Sequence, residues 1–119
     1  MKRDVTLYLA DIVENMDDAM QYVKGMTYDQ FVKDSRTVKA VIRSVEVIGE
    51  AVKNLPPEIC SLQPDVPWRD MARIRDKCIH FYFGVDYEVV WLAATKSIPD
   101  IRQKIADLAE KVSSWKNTK

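Results

Sequence analysis

The sequence predicts an all-α protein: an antiparallel bundle of four to five helices forming one domain over residues 1–119. Three observations carry that expectation. Apolar residues recur at steps of three and four along most of the chain, as one face of a helix requires. Only three glycines and five prolines interrupt the 119 residues, so few breakers are available to cut the chain into short strands. No segment sustains the apolar–polar alternation of a half-buried strand.

The first helix is expected from about Asp4 to Lys24, where Val5, Leu9, Ile12, Met16, Met20 and Val23 share a face. Gly25 stops it, and Thr27 is placed to cap a short helix through Phe31 and Val32 that ends near Asp34. The clearest segment follows. Val38, Val45 and Val52 are seven apart, as are Val41, Ile48 and Leu55, while Lys39, Arg43, Glu46, Glu50 and Lys53 line the opposite face. Two interleaved sevens suit the seam of a helix bundle. Residues Met1 to Val23 and Val38 to Leu55 are the expected core pair, and Pro56-Pro57 ends the second of them.

Pro57 to Gln63 reads as a helical turn and Pro64-Asp65-Val66-Pro67 as a loop, with Asp65 a candidate cap. A third long helix is expected from about Trp68 to Phe81, broken by Gly84. Asp86 starts the last segment, which carries Val89, Val90, Leu92 and Ala93. At Ser97-Ile98-Pro99-Asp100 either that helix kinks at Pro99 or a new one begins with Ser97 as cap. Beyond it Ile98, Ile105 and Val112 repeat at seven, as do Ile101, Leu108 and Trp115. Trp68, Trp91 and Trp115 read as packing or interface residues, and Lys111, Lys116 and Lys119 as a solvated helix end.

Hydrophobic residues make up 47% of the chain and charged residues 30%, an ordinary balance for a folded soluble domain. Lysine plus arginine equals aspartate plus glutamate at 18 each. That excludes a protein that coats nucleic acid through excess positive charge, so any RNA contact must be local. The two cysteines, Cys60 and Cys78, form no disulfide framework and no metal-ligand spacing. No apolar leader and no membrane-length apolar run is visible. A soluble, cytoplasmic protein with reduced thiols, no metal and no cofactor is expected. There is no glycine-rich phosphate loop, no paired-carboxylate metal site and no nucleophilic cysteine arrangement.

The chemistry concentrates around the single histidine, His80. Upstream of it Arg69, Arg73, Arg75 and Lys77 stand against Asp70 and Asp76, a local positive excess in a neutral chain. An imidazole can take and give a proton near neutral pH. A guanidinium forks onto phosphate oxygens and stabilises their developing charge. A lone histidine near a helix end is more often a hydrogen-bonded structural residue or a partner of the helix C-terminal dipole. Arg43 and Glu46 read as an ion pair, or as support for Arg75.

Arg75-x4-His80-x-Tyr82 resembles the R-x4-H-x-Y signature of HepT proteins within the HEPN superfamily. Pro67-Trp68-Arg69-Asp70 before the motif and Phe83-Gly84-Val85-Asp86 after it are similar to that family, as is Arg43-x-x-Glu46-x-Ile48-Gly49-Glu50-Ala51. The likeness covers nearly the whole chain. Asp76 stands where many members carry another polar residue, commonly asparagine, and Cys78 where an aliphatic residue is usual. The resemblance implies an HEPN-like bundle acting as the toxin of a type VII-like toxin–antitoxin pair. It implies a metal-independent endoribonuclease that works as a homodimer, with Arg75 and His80 catalytic and Asp76 supporting. The partner would be an MntA-type nucleotidyltransferase antitoxin that uses ATP to attach AMP to Tyr82. The alternative is a non-catalytic subunit presenting nucleotide or RNA to such a nucleotidyltransferase.

On one ideal helix Arg75 and His80 would point about 140° apart, at about 100° per residue, whereas Arg75 and Tyr82 would share a stripe, as would Asp76 and His80. Arg75 and His80 are therefore expected to converge only through a local distortion near Gly84 or across a two-fold axis.

Overall fold

The computed structural model describes residues 4–80 and 84–117. As the periodicity predicts, it is an all-α bundle. Helix α1 spans Val5–Tyr22; its N-cap Asp4 accepts from the Thr6 N–H and the Thr6 hydroxyl, both at 2.9 Å. Helix α2, Tyr28–Lys33, starts with a full capping box. Thr27 accepts from the Gln30 N–H, and the Gln30 side chain accepts from the Thr27 N–H. Asp34 then closes α2 and opens α3, Ser35–Lys53, accepting from the Thr37 N–H at 3.1 Å. That bond, made by Thr37 above all, holds the Asp34 carboxyl below its ordinary value.

The core runs between α1, α3 and the C-terminal helix α8, Ile98–Asn117. Leu9, Ile12 and Met16 on α1 face Val41, Val45 and Ile48 on α3, and all six are essentially solvent-free. Truncating Leu9, Ile12, Met16 or Ile48 to alanine costs about 2–5 kcal/mol in a packed core. Every member of the two interleaved sevens on α3 and beyond it, Val38 to Leu55, is buried. Ile98, Ile105, Leu108 and Val112 close the core from α8, whereas Trp115 is exposed. Arg102 on α8 forks onto Asp17 on α1, Nε to Oδ1 at 2.8 Å and Nη2 to Oδ2 at 3.0 Å. No helix of the described residues is long and apolar enough to cross a membrane.

Four expectations are corrected. The third helix does not run to Phe81. It is cut at Arg73 into α5, Trp68–Ala72, and α6, Ile74–Cys78. At Ile79 the backbone turns extended, with φ −126° and ψ 121°. Ile79–His80 (β1) then pairs antiparallel with Gly84–Val85 (β2), Ile79 opposite Val85 and His80 opposite Gly84. The cause lies in composition: Met71, Ile74 and Cys78 keep helical spacing, but Ile79 begins a β-branched and aromatic run that ends at Gly84. Gly84 has φ +75°, which glycine adopts without steric cost. Phe81, where the expected helix ended, lies outside the described residues, as do Met1 and Lys119.

Pro57–Cys60 forms the short helix α4. Asp65 caps no helix among the described residues: the residue before α5 is Pro67, with no side-chain cap. The start of α5 is fixed instead by Trp68, whose indole N–H is shared between the Cys60 and Gln63 carbonyls, each at 3.0 Å. Nor does Ser97 begin a separate helix. From α7, Tyr87–Leu92, the chain continues through a π-helical turn, Ala93–Ser97, into α8. The wider turn sits where the Pro99 ring would clash with the preceding turn of a regular helix. Finally, Arg43 and Glu46 do not form the ion pair on α3, because Glu46 faces Arg75 on α6.

Gly49 determines how closely α5 approaches α3. A Cβ at this position would lie 3.4 Å from the carbonyl oxygens of both Met71 and Ala72. The absent side chain lets the two backbones touch, which places α6 and its Arg75 directly over the polar face of α3. Gly49→Val should therefore destabilise the protein by about 1–3 kcal/mol, as overpacked cores do. Gly49→Ala should change stability by less than about 1 kcal/mol, since improved helix propensity offsets a marginal contact. Urea denaturation of the three proteins checks this, and a valine variant as stable as the native chain would contradict it.

Candidate active site

The motif residues lie on two consecutive elements. Arg75 is in the middle of α6, with about half of its side chain exposed, and faces α3: its Nε is 3.7 Å from Glu46 Oε2. Asp76, the next residue, has its Oδ1 3.9 Å from Arg75 Nη1 and is mostly exposed. Glu46, Glu50 and Lys53 on α3, with Arg75 and Asp76 on α6, line one groove floored by Gly49. Lys77 pairs with Asp70 at 3.4 Å, so part of the local positive excess is met by carboxylates on the same segment.

His80 lies on β1 rather than on a helix, so the ideal-helix angle between it and Arg75, and its shared stripe with Asp76, do not apply. Its side chain is about half exposed, and Nε2 lies 3.2 Å from Asp86 Oδ2. No hydrogen bond or ion pair joins His80 to Arg75 or to Asp76. Each functional group meets its own carboxylate instead: Arg75 meets Glu46, and His80 meets Asp86. Tyr82 lies outside the described residues.

Asp86 is the site residue that sequence reading missed beyond its capping role. Its Oδ1 accepts from the Val89 N–H at 3.2 Å, capping α7. Its Oδ2 faces His80, and its own N–H donates to the Cys78 carbonyl at 2.7 Å. The Val89 N–H first, and the His80 contact second, hold the Asp86 carboxyl below its ordinary value, so it is ionised at neutral pH. The signal available in the sequence was a carboxylate six residues after the histidine with one glycine between them, a spacing a hairpin can close and a helix cannot.

Cys78 is fully buried directly before β1. Burial, with a smaller contribution from the charge of Asp86, pushes its thiol up to about 11. It is a neutral packing residue, not a nucleophile. A nearby cavity of about 400 Å3 is mainly apolar; Ile48, Met71, Ile74, Val89 and Ile98 are among its lining, and neither Arg75 nor His80 is.

The fold is an all-α, HEPN-like bundle, and it presents Arg75 and the His80–Asp86 pair on adjoining elements. Residues 12–108 match the family described as Ribonuclease HepT-like. The protein named "Putative RNase MJ0127" from Methanocaldococcus jannaschii is 49% identical over 111 residues, 93% of this chain and 92% of its own length. "Probable ribonuclease HepT" from Thermococcus cleftensis is 44% identical over 108 residues, 91% of this chain and 98% of its own. "Putative RNase TTE0752" from Caldanaerobacter subterraneus subsp. tengcongensis is 41% identical over 104 residues, 87% of this chain and 93% of its own. No solved structure gives a significant match. The chain belongs to the HepT-like ribonuclease family.

Proposed function

We propose that this protein is a metal-independent endoribonuclease that acts as a homodimer, with Arg75 and His80 as its catalytic residues. The observation that carries the reading is the exposed His80–Asp86 pair one element beyond Arg75, within a chain whose family and relatives bear ribonuclease names. In the reaction the 2′-hydroxyl of RNA loses its proton to a base, and its oxygen bonds to the adjacent phosphorus. The bond from phosphorus to the 5′-oxygen breaks, that oxygen takes a proton from an acid, and a 2′,3′-cyclic phosphate remains. His80 can serve at either end of this proton traffic. Arg75 stabilises charge on the phosphoryl oxygens, its guanidinium exchanging Glu46 for phosphate. The reaction needs two proton-transfer groups, and the chain has one histidine. A two-fold dimer brings a second imidazole to the cleft, because an isologous interface juxtaposes identical surfaces.

The biological setting in this proposal is a toxin–antitoxin pair of the type VII kind. A nucleotidyltransferase antitoxin attaches AMP from ATP to Tyr82, adding bulk and a negative phosphate two residues from His80 and silencing RNA binding by occupancy and charge. Asp76 tempers Arg75 by its adjacent negative charge, which the distance of 3.9 Å supports.

His80→Ala should abolish RNA cleavage, by at least about 100-fold as expected for loss of an acid–base group, while circular dichroism shows an unchanged helical fold. Full cleavage by the folded variant would remove His80 from catalysis. A wild-type protein that binds RNA or nucleotide without cleaving it would favour the non-catalytic reading.

Incubation with the partner nucleotidyltransferase and ATP should raise the intact mass in AMP-sized steps, and Tyr82→Phe should prevent the increase. A mass increase that persists in Tyr82→Phe would place the modification elsewhere.

A further inference from the structure

We infer that Asp86 is a positioning residue that keeps the proton of the neutral His80 ring on Nε2, leaving Nδ1 as the nitrogen that exchanges a proton with RNA. This rests on the reading of His80 as the acid–base group.

A neutral imidazole carries its proton on one nitrogen or the other, and the group bonded to one nitrogen decides which. Asp86 Oδ2 lies 3.2 Å from Nε2. A carboxylate only accepts, so this contact is a hydrogen bond when Nε2 carries the proton. The carboxylate is ionised at neutral pH and cannot turn away from the ring freely. Its second oxygen is held by the Val89 N–H at the start of α7, and its backbone N–H is held by the Cys78 carbonyl directly before β1. Three bonds from one residue thus tie the end of α6, the strand bearing His80 and the start of α7. Nδ1 has no hydrogen-bond partner among the described residues, and about half of the side chain is exposed. It is the nitrogen available to a substrate hydroxyl. When it takes that proton, the imidazolium forms against a fixed negative charge.

Asp86→Asn separates positioning from structure. Asparagine is as good an N-cap as aspartate, and the Val89 N–H needs an acceptor, so the amide oxygen takes the capping position. The amide NH2 then faces Nε2, which must accept, and the ring proton moves to Nδ1. Because the chain has a single histidine, long-range 15N–1H correlation spectra of labelled protein report this ring alone. With the ring neutral, the native protein should be mainly the Nε2–H tautomer and Asp86→Asn mainly Nδ1–H, with little change in melting temperature. The variant's kcat on RNA should fall at least about tenfold with KM nearly unchanged, as when a catalytic histidine is held in the wrong tautomer. Asp86→Ala should lose both the tautomer preference and melting temperature, because the cap goes as well. A native ring that is mainly Nδ1–H, or an unchanged tautomer ratio in Asp86→Asn, would overturn the inference. So would a tautomer switch with undiminished kcat. A tautomer switch between the native protein and Asp86→Asn, with no RNA cleavage by the native protein, would support the positioning by Asp86 while refuting the ribonuclease reading on which its catalytic meaning rests.

Discussion

The geometry of the site depends on Asp86. One carboxylate oxygen begins α7, the other meets His80, and the backbone N–H takes the Cys78 carbonyl that a continuing helix would have used. Without that last bond the carbonyls at the end of α6 would need other partners, since helix ends leave them unsatisfied. With it, the chain can leave the helix at Ile79 and pair as a strand. The histidine is therefore presented on a strand that directly follows the buried Cys78 and whose imidazole meets the residue that caps α7.

Arg75 is placed by a different route that begins at Gly49. Close contact of α3 with α5 brings α6 over the polar face of α3, where Glu46 meets the guanidinium at 3.7 Å. With Asp76 at 3.9 Å the arginine is flanked by two carboxylates. Exposed pairs of this kind are weak, so a polyanion can displace them at little cost. In the proposed function the same arrangement would let a chain of zero net charge hold a phosphate: the arginine's charge is locally offset until a stronger anion arrives. Within one chain Arg75 and His80 each meet a carboxylate of their own, and the proposed cleft built from two copies would set the arginine of one chain beside the histidine of the other.

Most of the helical framework was legible in the sequence. The sevens from Val38 to Leu55, the Thr27 cap and Asp86 as a helix start all follow from local patterns that tertiary packing reinforces. The break after Cys78 was not read because the preceding apolar spacing is helical, and the β-rich run that follows is too short to show alternation. The sequence left the partner of Glu46 open between Arg43 and Arg75, and the structure selects Arg75. Arg43, three residues away on the same helix, is the nearest cation in sequence, while Arg75 becomes its neighbour only through the Gly49 contact. Arg75, Asp76, His80 and Tyr82 were singled out by spacing and resemblance. The pairing of His80 with Asp86 needed the hairpin, because no helix brings residues six apart face to face.

The most direct measurement of the central claim, a ribonuclease cleft composed from two chains, is complementation between inactive partners. Arg75→Ala and His80→Ala chains would be purified separately, mixed under conditions that exchange subunits, and assayed on RNA beside each protein alone. A composite cleft predicts that the mixture regains part of the native cleavage, which neither protein shows by itself, because the heterodimer restores one Arg75 and one His80 on opposite chains while lacking the second imidazole. A mixture that forms heterodimers yet stays inactive, or a native protein that cleaves RNA at full rate as a monomer, would contradict it.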